Sequence, residues 1–335
     1  MQLDFFARRP HYVDHMAPVY NALPHARRGV FHIAQELESY ARQELREPRL
    51  EIFQGGIPAG DNPIIVAAYG DLNKVIRNPQ RKIITIEHGV TQGFGTAAYP
   101  NGTIGNRDRA SFALLPNEYV ARHFRAVRQT PCAVIGTPKM DAYLSEWVPV
   151  TRPVDPGRPV LAIAFHWGNR NENPPESGSA WEHYKDILLA LGERYQVIGH
   201  SHPLAAPIYR EAFERVGIEW VEDFREVCRL ADIYLNDLSS TMYEFLLTGK
   251  PVVVLNAPWF RREIHWGIRF WDYSDVGINV ESPFELFDAI DQTLEQYATI
   301  CLQERRQAIA DLYPYVGHSA RRAVDILERW IDERS

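Results

Sequence analysis

Cysteine is scarce in this chain. Three stand among 335 residues, Cys132, Cys228 and Cys301, too far apart to form a metal-ligand or redox pattern. Cys132 and Cys228 sit in apolar contexts and read as core residues. Lysine is scarcer still for its class: 5 of the 36 basic residues are Lys and 31 are Arg. Arginine is the better bidentate partner for phosphate and carboxylate, although codon bias produces the same skew. Long apolar runs are missing. No stretch approaches the ~20 residues that span a bilayer, and MQLDFFARRP lacks the apolar core of a signal peptide. The expectation is a soluble, cytoplasmic protein, with peripheral contact at the inner face of a membrane left open. A positive balance is missing too: the net charge is −7, which argues against a nucleic-acid partner.

What is present is ordinary globular material, 45% apolar and 12% aromatic, so disorder is excluded. The length favours two domains. Short apolar runs alternate with amphipathic segments, the signature of βαβ units and parallel sheets. The first half predicts strands at Leu3–Phe6, Val30–Ile33, Ile64–Ala68, Ile83–Ile86, Phe112–Leu115 and Ala133–Ile135. It predicts helices over Tyr12–Ala22 and Asn117–Val127, with Asn117 as N-cap. Between Val148 and Pro159, four prolines and a glycine break the pattern, which reads as a linker. A second series follows, with strands at Val160–Phe165, Gln196–Ile198, Ile218–Val221, Ile233–Leu235 and Val252–Leu255. Helical periodicity returns at Pro283–Tyr297 and in the last twenty residues. The division is therefore 1–148, a linker at 149–159, a second domain at 160–312 and a terminal helix at 313–335. Ligands of such folds bind at the carboxyl ends of the strands, here in a cleft between domains.

The most informative run is Ala231–Asn256, ADIYLNDLSSTMYEFLLTGKPVVVLN. It reads as strand, polar turn, helix, turn, strand. Ser239, Ser240 and Thr241 fall where the helix begins, and a helix N-terminus attracts phosphate. Glu244 lies one turn on from Ser240 and can accept hydrogen bonds from a ribose diol. The same residues also read as a plain N-cap with a surface glutamate.

This segment resembles the second half of GT-B transferases, and more narrowly the CDP-glycerol glycerophosphotransferases of teichoic acid synthesis. Several short blocks match in order: Glu87-His88-Gly89, Gly136-Thr137-Pro138-Lys139-Met140-Asp141, His202-Pro203, Asp237-Leu238-Ser239-Ser240, Lys250-Pro251, and the aromatic stretch Arg269–Tyr273. The resemblance spans roughly residues 83–290. Two positions depart from the pattern. His200 stands where the family has lysine, and Phe165-His166-Trp167-Gly168-Asn169-Arg170 replaces a Thr-x-Arg motif.

The resemblance implies an α/β chain of two Rossmann-like domains with C-terminal helices. It also implies a transferase moving glycerophosphate or a glycosyl group from a CDP- or UDP-linked donor. The acceptor is a hydroxyl of a polyol or saccharide, lipid-linked or otherwise part of a cell-surface polymer. No cofactor and no metal are expected, because helix dipoles with His or Arg replace a metal in this fold.

His88, at a strand end in a glycine-rich loop, can take an acceptor proton, and the resemblance implies that role; Glu87 can orient it. His11 and His15, in the segment after the first strand, are the rival bases. His202 is implied to contact the donor pyrophosphate. His200 would point the same way in an extended strand. Arg170, Arg261 and Arg262 read as phosphate partners or as solvated loop residues. A sugar-nucleotide glycosyltransferase is the first alternative. A UDP-sugar 2-epimerase is the second, with Glu87 and Asp108 its only acidic candidates, and a non-catalytic nucleotide-binding relative is the third.

Overall fold

In the computed structural model, residues 1–67, 69–90, 108–146, 159–166, 179–203, 205–237, 239–260 and 271–334 are described. The chain divides into two units. The first comprises Met1–Glu146 with Asp311–Ser335, and the second most of the chain between. The proline-rich linker segment lies outside the described residues, save for Pro159.

The first unit is built on a parallel sheet of seven strands: β1 (Leu3–Ala7), β2 (Arg28–Ala34), β3 (Arg49–Phe53), β4 (Ile64–Val66), β5 (Ile83–Ile86), β6 (Phe112–Leu115) and β7 (Cys132–Val134). Their order is β3-β2-β1-β4-β5-β6-β7. The central strands are apolar on both faces, as expected when helices cover both sides of a parallel sheet. Phe5 on β1 stacks on Phe31 of β2 with ring centroids 5.3 Å apart, and Tyr20 from the helix Pro10–Ala22 meets both rings edge-on. The helix Ser319–Asp332 returns to this unit, burying Leu327, Trp330 and Ile331 in the same core.

The second unit carries six parallel strands: β8 (Val160–Phe165), β9 (Gln196–Ser201), β10 (Glu219–Trp220), β11 (Ile233–Asn236), β12 (Val252–Leu255) and β13 (Gly277–Val280). The order is β10-β9-β8-β11-β12-β13. Sequence order runs outward from β8 to β10, then restarts at β11 on the other side. The strand ends of β8 and β11 thus flank a topological switch point, where open α/β sheets bind ligands. The equivalent switch in the first unit lies between β1 and β4. At Gly199 on β9, an added Cβ would stand 2.8 Å from the Phe213 ring, so the strand accepts that helix only with glycine there.

Asn117 caps the helix Glu118–Val127 through Val120 N at 2.8 Å, as its position predicts. Between β8 and β9 lie two short helices, Trp181–Tyr184 and Leu188–Arg194, joined by a 3-10 turn. Two strands escaped the sequence pattern. Edge strand β3, Arg49-Leu50-Glu51-Ile52-Phe53, is half exposed and partly charged. β13 begins with a glycine that packs against the Val252 carbonyl. Neither shows the apolar run that marks a central strand.

Candidate active site

In the first unit, the carboxyl ends of the adjacent strands β1, β4 and β5 gather the residues that follow them. Arg8 comes directly after β1. Its Nε donates to Asp71 Oδ1 at 2.6 Å, and its backbone N–H to Asp71 Oδ2 at 3.2 Å. Nη2 donates to the Gly70 carbonyl at 2.8 Å. Asp71 is buried. Burial pushes its carboxyl upward, and the bonds from Arg8 oppose that shift.

His11 and His15 sit one turn apart on the helix Pro10–Ala22, so they share a face. His88 follows β5. Its ring centroid lies 6.5 Å from that of His11, 5.9 Å from that of His15 and 5.6 Å from that of Tyr12. Three histidines that sequence reading could only set against one another therefore form one cluster. Their environments differ. His88 and His11 are partly exposed, whereas His15 is 3% exposed. Burial holds His15 well below its ordinary range, assisted by Lys139, His88 and His11. It is a neutral imidazole at physiological pH. Lys139, buried, lies 5.0 Å from the Tyr143 ring centroid. Asp14 accepts from the Tyr40 and Tyr143 hydroxyls. Glu87 is half-buried, with its backbone N–H on Leu114 O at 3.0 Å. The glycine-rich loop beyond Val90 lies outside the described residues.

In the second unit, the loops after β8, β9 and β11 converge. β8 lies between the other two, so the ends of β9 and β11 are two strand spacings apart, about 10 Å. His202 follows β9; its carbonyl accepts from Ala205 and Ala206 N–H and so opens the helix Ala206–Arg215. Asp237, after β11, is 1% exposed and ties the loops together. Its carboxylate accepts from His166 N at 2.7 Å, Ala180 N at 2.8 Å and Ser179 Oγ at 3.1 Å. Ser239 Oγ lies 2.8 Å from Thr241 Oγ1, which lies 2.9 Å from Tyr234 Oη. The Thr241 hydroxyl is thus engaged in an internal chain. Ser239 and Ser240 are partly exposed at the edge, and Glu244 is 2% exposed.

His200 is placed elsewhere. Its Nδ1 pairs with Val221 O at 2.9 Å, and its ring packs beside Trp220 and Phe224. It fills the layer between β9 and the next helix, whereas His202 stands at the strand end. Arg170, Arg261 and Arg262 lie outside the described residues, as does Arg269. Sequence reading missed His166 as a site residue. It follows β8 at the switch point, and burial lowers its pKa to about 4. Its place directly after the most apolar strand of the second series was the available signal.

Other shared blocks are structural. Lys250 Nζ donates to the carbonyls of Ala231 at 2.7 Å and Cys228 at 2.8 Å, closing the end of the helix Phe224–Leu230. Asp141 Oδ2 accepts from Ala320 N at 2.7 Å and so caps the helix Ser319–Asp332. Gly136 has φ +88°, and a Cβ there would stand 2.3 Å from Ser319 Oγ.

Compared with known families, residues 63–327 match the model of the CDP-glycerol:poly(glycerophosphate) glycerophosphotransferases. The chain belongs to that family. It is a transferase that works from a nucleotide-activated donor in cell-wall polymer synthesis. No curated protein matches it. Among solved structures it is similar to the wall teichoic acid polymerase TagF, as a variant soaked with CDPG. There the TM-score is 0.65 at 15% identity, covering 99% of this chain and 89% of that one. It is also similar to S. aureus MnaA with UDP, at TM-score 0.65 and 14% identity, covering 99% and 97%. A UDP-GlcNAc 2-epimerase from Neisseria meningitidis bound to UDP-GlcNAc gives TM-score 0.61 at 15% identity, covering 98% and 100%. At these identities the likeness establishes the shared GT-B fold.

Proposed function

We propose that this transferase moves glycerophosphate from CDP-glycerol to a hydroxyl of a cell-wall polymer precursor by direct displacement. The observation that carries this reading is the family match across residues 63–327. The convergence of His11, His15 and His88 at one strand edge adds a base to it. The acceptor hydroxyl loses its proton to His88 as its oxygen attacks the phosphorus that bears glycerol. The new O–P bond forms as the bond to the bridging oxygen breaks, and CMP leaves. His88 is the better base of the three because it is partly exposed, whereas both ring nitrogens of His11 are buried and buried His15 cannot carry a proton cheaply. His11 and Glu87 orient it.

Donor recognition is assigned to the edge formed by His202, Ser239 and Ser240, with Glu244 for the ribose and Arg170 and Arg261 for the phosphates. Thr241 supports Ser239 from beneath. Side chains and backbone N–H groups supply the charge compensation, with no metal in the reaction. Nothing in the described residues is a helix long and apolar enough to cross a membrane. We place the protein in the cytoplasm, meeting a lipid-linked acceptor at the inner membrane face. An epimerase reading is less well supported: Asp108, one of its two acidic candidates, is held by Arg128 Nη1 at 2.9 Å.

The test is release of CMP from CDP-glycerol in the presence of acceptor, with calorimetry on the same proteins. His88→Ala should lower turnover by ~10²–10⁴-fold while CDP-glycerol affinity stays within about twofold. Wild-type turnover in His88→Ala, with loss in His11→Ala, would move the base to the N-terminal segment.

A further inference from the structure

β11 is a central strand, paired with β8 on one side and β12 on the other. Such a strand is covered on both faces and normally carries apolar side chains. This one buries two polar side chains near its carboxyl end. Tyr234 and Asn236, two apart and therefore on one face, are each 0% exposed. Buried polar groups persist where their hydrogen bonds are made, and the bonds of these two lead outward to Ser239.

The direction of each bond follows from the chemistry of its partners. Asn236 Nδ2 donates to the Ala164 carbonyl on β8 and to Tyr234 Oη, both at 3.2 Å. A carbonyl can only accept, so Ala164 fixes which end of the amide is nitrogen. The amide oxygen is buried with no donor among the described residues. An apolar residue would avoid that cost; what it would lose is the bond to Tyr234. Tyr234 Oη lies 2.9 Å from Thr241 Oγ1, which lies 2.8 Å from Ser239 Oγ. Tyr234 Oη receives the amide hydrogen, so its own hydrogen goes to Thr241. In the reverse order a wholly buried phenol hydrogen would have no acceptor among the described residues. Burial also raises the Tyr234 pKa, against the bond to Thr241, so the phenol keeps its proton. Thr241 then passes its hydrogen to Ser239 Oγ, which also accepts from the Thr241 backbone N–H at 3.3 Å. Both lone pairs of Ser239 are filled. What remains is its O–H, and Ser239 is partly exposed.

A hydroxyl set in this way can give a hydrogen but cannot take one. Water and polyol hydroxyls do both, whereas an ionised phosphate oxygen only accepts. We propose that Asn236, Tyr234 and Thr241 are positioning residues that hold the Ser239 hydroxyl as a one-way hydrogen donor to a phosphate oxygen of the nucleotide. A donor oriented before binding needs no reorganisation as charge moves onto the departing phosphate. The inference rests on the reading above that assigns the donor phosphates to Ser239.

The test is calorimetric titration of CMP into wild type, Thr241→Val, Thr241→Ser, Tyr234→Phe and Ser239→Ala, and into double variants that add Thr241→Val or Tyr234→Phe to Ser239→Ala. Thr241→Val and Tyr234→Phe should each weaken CMP by about threefold or more, because the ligand must then order a hydroxyl released among its staggered positions. Thr241→Ser keeps the relaying hydroxyl and should bind within about twofold of wild type. On Ser239→Ala neither substitution should weaken CMP further, since residues that act through Ser239 lose their effect with it. Thr241 is partly exposed, so Thr241→Val reports even where Tyr234→Phe disturbs the core. Unchanged CMP affinity in Thr241→Val overturns the relay. So does an equal further loss on Ser239→Ala, or a Thr241→Ser variant as weak as Thr241→Val. Wild type that binds UMP and not CMP overturns the CDP-linked reading, and the same variants then judge the relay on UMP. If the relay pattern holds for CMP yet no CMP is released from CDP-glycerol with acceptor present, the transfer reading fails and the relay stands.

Discussion

Burial divides the histidines of this protein into two kinds. His88 and His202 are partly exposed. His15 and His166 are enclosed, which disfavours their charged form. The consequence for stability has a definite sign. His166 titrates at about 4 in the folded chain and near ~6.5 when unfolded. Between those values the unfolded state binds more protons, so stability is full above pH ~6.5 and falls as the pH drops towards 4. His15 adds in the same direction. Replacing His166 by Gln should shrink the stability difference between pH 7 and pH 4.5 by roughly 2 kcal/mol. Guanidinium unfolding at the two pH values measures it; an unchanged difference would mean that His166 is charged or solvated in the folded protein.

The short motifs shared with the family perform two kinds of work at the level of elements. Glu87-His88-Gly89 and His202-Pro203 stand at strand ends, where a ligand can be met. Gly136–Asp141 and Lys250-Pro251 join elements. Asp141 reaches from its helix to the Ala320 N–H and supplies the cap that His318 does not. Gly136 lets Ser319 approach where any side chain would collide. Loss of such a cap costs ~1 kcal/mol. Asp141→Ala should therefore destabilise the first unit by about that amount and raise amide exchange across Ser319–Asp332, with CDP-glycerol affinity unchanged. Unaltered exchange in that helix would show that apolar packing of Leu327, Trp330 and Ile331 holds it without the cap.

Each unit of the whole molecule carries its own sheet, core and switch point, and the chain crosses from one to the other and back. A nucleotide that binds only the folded second unit raises that unit's stability by RT ln(1 + [L]/Kd), ~2.7 kcal/mol at a hundredfold excess over Kd. Under the proposed function, CDP and CMP should raise the melting temperature more than UDP, GDP or ADP at equal concentration. A shift by UDP alone would favour a UDP-linked donor and return the sugar-nucleotide reading.

The amino-acid sequence determined much of this arrangement unaided. Apolar runs such as Val160–Phe165 and Val252–Leu255 mark central strands because a parallel sheet is covered on both faces, and that pattern is local. Asn117 announced its helix because capping is a contact three residues long. The strand-end positions of His88 and His202 followed from the same periodicity. Other features had no local signal. β3 and β13 lack apolar runs, since an edge strand needs burial on fewer sides. The return of Ser319–Asp332 to the first unit depends on Gly136 and Asp141, almost two hundred residues earlier. His200 and His202 looked alike in a chain read as extended, but a carbonyl at Val221 and two aromatic rings absorb the first. His11, His15 and His88 stood as rivals in sequence because no period links a helix to the end of β5. Only strand order β1-β4-β5 sets them side by side, and only their packing buries His15 and so lowers its pKa.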